Sequence, residues 1–233
     1  MKQQKPIFKA FNPYESIMVY RRNLPHWRQD GACYFVTWRL NDSIPKKVID
    51  VWQEEREIWL KEHGVNVNLR GDEWRVAYES IDIEERREFE RERHFKFNEC
   101  LDAAHGSCVL RNQEFAKIVL QSLFYFDGER CWAGDTVIMA NHVHALIIPV
   151  GELELKDLLH SVKRFSARKI NAVLKREGPL WQRDSYDHIV RSTEELRVYR
   201  KYIAKNAEQA GLALDGDAYR RADWLDEYAK LED

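Results

Sequence analysis

The chain has 233 residues, 44% of them hydrophobic and 33% charged, which excludes disordered, collagenous and small disulfide-stapled classes and suits one elaborated domain with a sizeable core. Its net charge of −2 argues at first against a nucleic-acid partner, and no run approaches the roughly 18 to 20 apolar residues of a membrane-spanning helix. The N-terminal residues lack an apolar core of signal-peptide length, and Cys33, Cys100, Cys108 and Cys131 show no C-x-x-C spacing, so a cytoplasmic protein with free thiols is expected.

In chain order, the first 30 residues form a basic arm. "ACYFVTWRL" (Ala32 to Leu40), rich in β-branched and aromatic residues, reads as a strand. Residues 46–62 and 82–98 are charged and of high helix propensity, and mark an acidic helical insert at about 44–102. "NQEFAKIVLQSLFYFDG" places Phe115, Ile118, Val119, Ser122, Leu123 and Phe126 on one helical stripe, with Gly128 as the stop. Two strand-like runs, "CWAGDTVIMA" and "HVHALIIPV", follow. A helix over 153–175 then aligns Leu155, Leu158, Leu159, Val162, Phe165, Ile170 and Val173. "YDHIVR" is a short strand, and Ser192 with Glu195 forms a capping-box signal for a last helix that stops at Gly211. Without the insert the order is β-α-β-β-α-β plus a terminal helix, which predicts an α+β, ferredoxin-like core with an antiparallel sheet over 31–213 and an acidic C-terminal tail over 214–233.

His142 and His144 lie two apart in an otherwise apolar strand and therefore project from one face, about 6.5 to 7 Å apart along the chain. Such a pair fits two satisfied histidines, and it also fits two imidazoles converging on one divalent cation that still needs oxygen ligands. On the last helix Tyr202 and Asn206 share a face at i, i+4. The spacing suits an ordinary buried tyrosine, and equally a phenol beside an amide oxygen that completes the histidine site.

The order and spacing of "MANHVHALI", "HSVKRFSARKINAVL", "GPLWQRDSYDHIVR" and "YIAKNAEQAGL", with "RRNLPHWRQDGACYFVTWRL" upstream, resemble the single-tyrosine transposases of the HUH superfamily, most closely the REP-associated tyrosine transposases related to the IS200-like family. The likeness runs over about residues 20–213. It implies metal-dependent cutting and rejoining of single-stranded or hairpin DNA, with Tyr202 as nucleophile forming a 5′-phosphotyrosine and His142, His144 and Asn206 holding Mg²⁺ or Mn²⁺. Two prolines common in the family are replaced, by Ala140 before Asn141 and by Ala207 after Asn206. Both are backbone-setting positions, so the departure touches activity level more than chemistry.

Charge counted by segment reconciles the net −2 with a DNA partner. Residues 1–30 carry 6 Lys and Arg against 2 acids and residues 156–205 carry 13 against 6, while residues 50–102 carry 9 against 16 and residues 215–233 carry 3 against 7. Candidate DNA contacts are Arg21, Arg22, Trp27 and Arg28 in the arm, and Lys163, Arg164, Arg168, Lys169 and Arg183 beyond the histidine strand. Trp181 reads as core, and His160 and His188 as structural. Exchange of strands by a one-tyrosine enzyme calls for two sites acting together, which is compatible with a homodimer and with a monomer. A catalytically silent, domesticated nucleic-acid binder is the alternative; a metal hydrolase needs a general base, and the neighbouring sequence offers only Asp135.

Overall fold

The computed structural model describes residues 7–12, 18–21 and 25–230, with side chains described outside 18–28. It separates into two compact units, residues 42–107 and the remainder.

The larger unit is built on a five-stranded antiparallel sheet. Its strands are β3 (Tyr34–Arg39), β4 (Cys131–Ile138), β5 (His142–Pro149), β6 (Tyr186–Ile189) and β7 (Tyr219–Arg220), in the spatial order β6-β3-β5-β4-β7. With α4 (Gln113–Phe124), α5 (Leu155–Leu174) and α6 (Thr193–Gln209), the first four strands give the expected ferredoxin-like α+β core. β1 (Met18–Arg21) and β2 (Pro25–Arg28) pair antiparallel as a separate hairpin, where the sequence suggested only an arm. Among the described residues no helix is long and apolar enough to cross a membrane.

Alternation along the strands sorts side chains to two faces. Tyr34, Val36 and Trp38 of β3 and Val143, Ala145 and Ile147 of β5 pack with Phe115, Val119 and Leu123 of α4 and Leu155, Leu158, Leu159, Val162 and Ile170 of α5. The opposite face, with Phe35, Leu146 and Ile148, is covered by Leu196, Ile203 and Ala207 of α6 and by Tyr219, Leu225 and Ala229. Residues beyond 213, read from sequence as an acidic tail, thus include an edge strand and buried apolar side chains. On α5 the expected stripe holds except at Phe165 and Val173, which are exposed, while Ser166 turns inward.

One irregularity sets the second face. The β4–β5 register shifts between Ala133 and Thr136, so Gly134 and Asp135 together oppose Leu146. Counting by twos from Ala133 would send Asp135 and Val137 toward α4 and α5; the extra residue reverses the parity and turns both toward α6. Gly134 is required there, because an added Cβ would come within 2.8 Å of the Leu146 Cβ.

The smaller unit is helical, as expected of the insert: α1 (Lys46–Glu62), α2 (Gly71–Glu79) and α3 (Ile83–Asp102). Leu60, Val65 and Ile81 form a small core with Trp59, Trp74 and Tyr78, and Asp82 caps α3 by accepting from the Glu84 and Glu85 amides. Its two ends meet where the Ser107 amide donates to the Asp42 carboxylate at 2.8 Å.

Candidate active site

The site lies on the sheet face covered by α6, at the end of β5 where that face turns from Leu146 and Ile148 to histidine. His142 and His144 are 1% and 0% exposed, and their Nε2 atoms are 3.0 Å apart. His142 Nδ1 donates to Asn141 Oδ1 at 2.7 Å, which leaves Nε2 as the lone-pair nitrogen. Burial lowers the His142 pKa to about 3, so the ring is neutral at pH 7 and competent as a ligand. His144 Nδ1 lies 2.7 Å from Thr37 Oγ1, its cross-strand neighbour on β3. A hydroxyl both donates and accepts, so Thr37 supports either tautomer: Nε2–H of His144 bonded to His142, or Nδ1–H with both Nε2 lone pairs free.

A separation of 3.0 Å is close to the edge of an octahedron with ligands at about 2.1 Å, roughly 3.0 Å, so the two nitrogens fit adjacent positions on one divalent ion. Among the described residues no group of three or more His, Cys, Asp or Glu side chains gathers to hold a metal. Among the described residues, a third ligand would therefore be a neutral oxygen. Asn206 is 4% exposed, and its Nδ2 donates to the Tyr202 carbonyl at 2.9 Å, so Oδ1 is the ligand atom it has to offer.

α6 brings the phenol in. Ser192 caps the helix by accepting from the Glu195 amide at 3.1 Å, and the Glu195 carboxylate returns to accept from the Arg191 amide and from His188 Nε2. His188 is thereby structural, as expected. Tyr202, half-buried, has its hydroxyl 3.5 Å from His144 Nε2. Phe35 stacks on His144 with centroids 5.5 Å apart and on Tyr199 at 4.2 Å, and meets Tyr202 edge-on at 5.9 Å. Burial pushes the Tyr199 hydroxyl well above the usual phenol range.

The turn before β5, which contains Ala140, is held by main-chain hydrogen bonds. The Ala140 carbonyl accepts from the Leu110 amide at 3.2 Å, the Asn141 carbonyl from the Leu40 amide at 2.8 Å, and the Met139 amide donates to the His142 carbonyl at 2.8 Å. Ala207, the second replaced position, is buried against the sheet.

Sequence reasoning missed Thr37, Phe35 and Arg200. Arg200 is fully buried and uses all its donors: Nε and Nη2 to the Asp135 carboxylate at 2.9 and 3.3 Å, Nη1 to Asp226 at 2.7 Å and to the Ala229 carbonyl at 2.5 Å, and Nη2 also to the Ala222 carbonyl at 3.3 Å. Asp135 is thus tied to Arg200 and to the Ala222 amide, and does not serve as the base a metal hydrolase would need. Burial raises the Asp135 pKa, an effect that Arg200 only partly offsets.

The DNA candidates fall into three groups. Arg22 lies outside the described residues, while Arg21, Trp27 and Arg28 are on β1 and β2. Arg164, Arg168, Lys169 and Arg183 are exposed. Lys163 is engaged within the fold: its Nζ donates to the Gln182, Arg183 and Asp184 carbonyls at 3.1, 3.2 and 3.5 Å and to Ser185 Oγ at 2.7 Å, pinning the loop ahead of β6. Trp181 is core, with Nε1 donating to Ser166 Oγ at 3.0 Å.

Residues 126–206, from the end of α4 through Asn206, match the family model described as "Transposase IS200 like". The matched segment contains both histidines, Tyr202 and Asn206. No protein of curated function matches the chain. One solved structure similar to it is titled "Structure of the REP associates tyrosine transposase bound to a REP hairpin"; it is 13% identical, with 83% of this chain and 74% of that chain covered and a TM-score of 0.44.

Proposed function

We propose that the chain is a transposase-like enzyme that cuts and rejoins single-stranded DNA, including hairpin-bearing strands, with Tyr202 as nucleophile and His142, His144 and Asn206 holding Mg²⁺ or Mn²⁺. The observation that carries this reading is the convergence, inside the IS200-like segment, of two facing imidazole nitrogens 3.0 Å apart with a phenol 3.5 Å from one of them.

Tyr202 Oη attacks the phosphorus, forming a Tyr–O–P bond to the 5′ side as the P–O3′ bond breaks. The phenol proton is lost and the leaving 3′-oxygen gains one, so bond and proton counts balance and no nucleotide triphosphate is needed. A phenol with an ordinary pKa near 10 is mostly protonated at neutral pH, so the step depends on charge stabilisation around the phosphate. A divalent ion held by His142, His144 and Asn206 would supply that stabilisation. Phe35 and Asn141 hold the rings in place, and exposed Arg164, Arg168, Lys169 and Arg183 neutralise flanking phosphates.

The test is incubation of labelled single-stranded hairpin oligonucleotides with the protein and Mn²⁺ or EDTA, followed by a denaturing gel. A protein-linked band is expected with Mn²⁺, absent with EDTA and absent in Tyr202→Phe, which should keep its DNA affinity. Binding with no band across several hairpins would turn the reading to a silent DNA binder, and a band surviving Tyr202→Phe would move the nucleophile elsewhere.

A further inference from the structure

α5 carries, among its cations, an exposed aromatic ring for which the chemistry at Tyr202 has no use. From Leu158 to Arg176 the sequence has no acidic residue. Arg164, Arg168, Lys169 and Lys175 are exposed, and none has an acidic partner among the described residues; the nearest ion pairs in sequence are Lys156–Glu154 before them and His188–Glu195 after.

In the middle of this strip the usual order of burial is inverted. Ser166 is fully buried, its hydroxyl bonded to the Val162 carbonyl and to Trp181 Nε1, while its neighbour Phe165 faces outward and is 38% exposed. Lys169 Nζ sits 4.7 Å from the Phe165 ring centroid and Arg168 Cζ 5.9 Å from it, as i+4 and i+3 neighbours on one helix face. Cations alone suffice to follow the phosphates of a duplex. A ring set among them gains something further only from a base whose face is free, that is, an unpaired one.

We propose that this face of α5 is a platform for unpaired nucleotides, with Phe165 stacking on a base and Arg164, Arg168 and Lys169 taking the adjoining phosphates. The inference rests on the reading of the chain as a DNA-acting protein and adds to it which part of a substrate α5 receives: single-stranded sequence beside a hairpin, not the paired stem.

The experiment measures affinity for a short single strand carrying 2-aminopurine and for a blunt duplex of the same sequence, using the full chain and its Phe165→Leu and Phe165→Trp variants. Since Phe165 is partly exposed, both variants should melt as the wild type does, which is checked first. Wild type and Phe165→Trp should bind the single strand and quench 2-aminopurine, whereas Phe165→Leu should lose roughly 5- to 100-fold in single-strand affinity, together with the quench, and keep its duplex affinity. An equal loss on both substrates, or no loss on either, would overturn the platform. If the wild type still forms the Tyr202 adduct in that case, only the platform falls; if the wild type binds no DNA of either kind, the broader reading falls with it.

Discussion

Arg200→Met should be among the most destabilising single substitutions in the larger unit. Arg200 and Asp135 are both 0% exposed, and the guanidinium also bonds Asp226 and the Ala222 and Ala229 carbonyls. Removing it leaves a buried carboxylate with the Ala222 amide as its remaining partner, at 2.8 Å. Breaking one side of a buried pair costs about 3–5 kcal/mol, and for a domain of this size each kcal/mol lowers Tm by roughly 2–4 °C, so a fall of about 6–20 °C is expected. The charge itself accounts for most of that cost, because burial already raises the Asp135 pKa. Asp135→Asn combined with Arg200→Met should therefore recover more than half of the loss, a coupling that a double-mutant cycle in urea reads directly. A single-variant cost under about 1 kcal/mol, or strictly additive effects, would refute the account of Arg200 as the pin between α6, β4 and the C-terminal segment.

Two further outcomes follow from individual side chains. His142 has a folded-state pKa of about 3 against about 6.5 when unfolded, so between those values the unfolded chain binds the extra proton; stability from this group is complete above pH 6.5 and falls by about 1.4 kcal/mol per unit as pH drops. Urea unfolding at pH 6.5 and pH 5 should thus show wild type losing about 2 kcal/mol more than His142→Gln, and equal losses would mean that His142 titrates as an exposed imidazole. Lys163→Met should weaken DNA binding while leaving the slope of log affinity against log salt unchanged, because its ammonium holds the 182–185 loop; Arg183→Ala should lower that slope by about 1, and the same drop in Lys163→Met would make Lys163 a phosphate contact after all.

The sequence carried the core because periodicity reports faces. The two-residue spacing of His142 and His144 and the four-residue spacing of Tyr202 and Asn206 each put a pair on one side of an element, and the capping signal at Ser192 located the start of α6. Periodicity says nothing about what lies opposite. Thr37 meets His144 across 107 residues of chain, and Asp135 meets Arg200 across 65, through polar contacts that leave no pattern in either segment. The β4 bulge hid the orientation of Asp135, since alternation read straight through it gives the wrong face. Phe165 and Lys163 misled in opposite directions: an aromatic at helical spacing looked like core and is exposed, and a lysine among cations looked free and is fastened to four acceptors. The helix α2 and the hairpin β1–β2 went unread because each is short and lies in a charged or mixed stretch.

The placement of the phenol follows from how α6 is fastened. Leu196, Arg200, Ile203 and Ala207 form the buried stripe of the helix, with Tyr199, Tyr202 and Asn206 along its flank toward the histidine end of β5. An apolar stripe of Leu, Ile and Ala resists withdrawal from the sheet but only weakly resists sliding or turning, because burial is non-directional. A turn by one residue would rotate the flank by about 100° and carry Tyr202 away from His144. The one strongly directional contact in the stripe is the planar guanidinium of Arg200, gripped by Asp135 from the bulge of β4 and by Asp226 and two carbonyls from the C-terminal segment. That arrangement admits a single rotation of α6, so the bulge, the arginine and the segment around Asp226 and Ala229 together fix the 3.5 Å approach of phenol to imidazole.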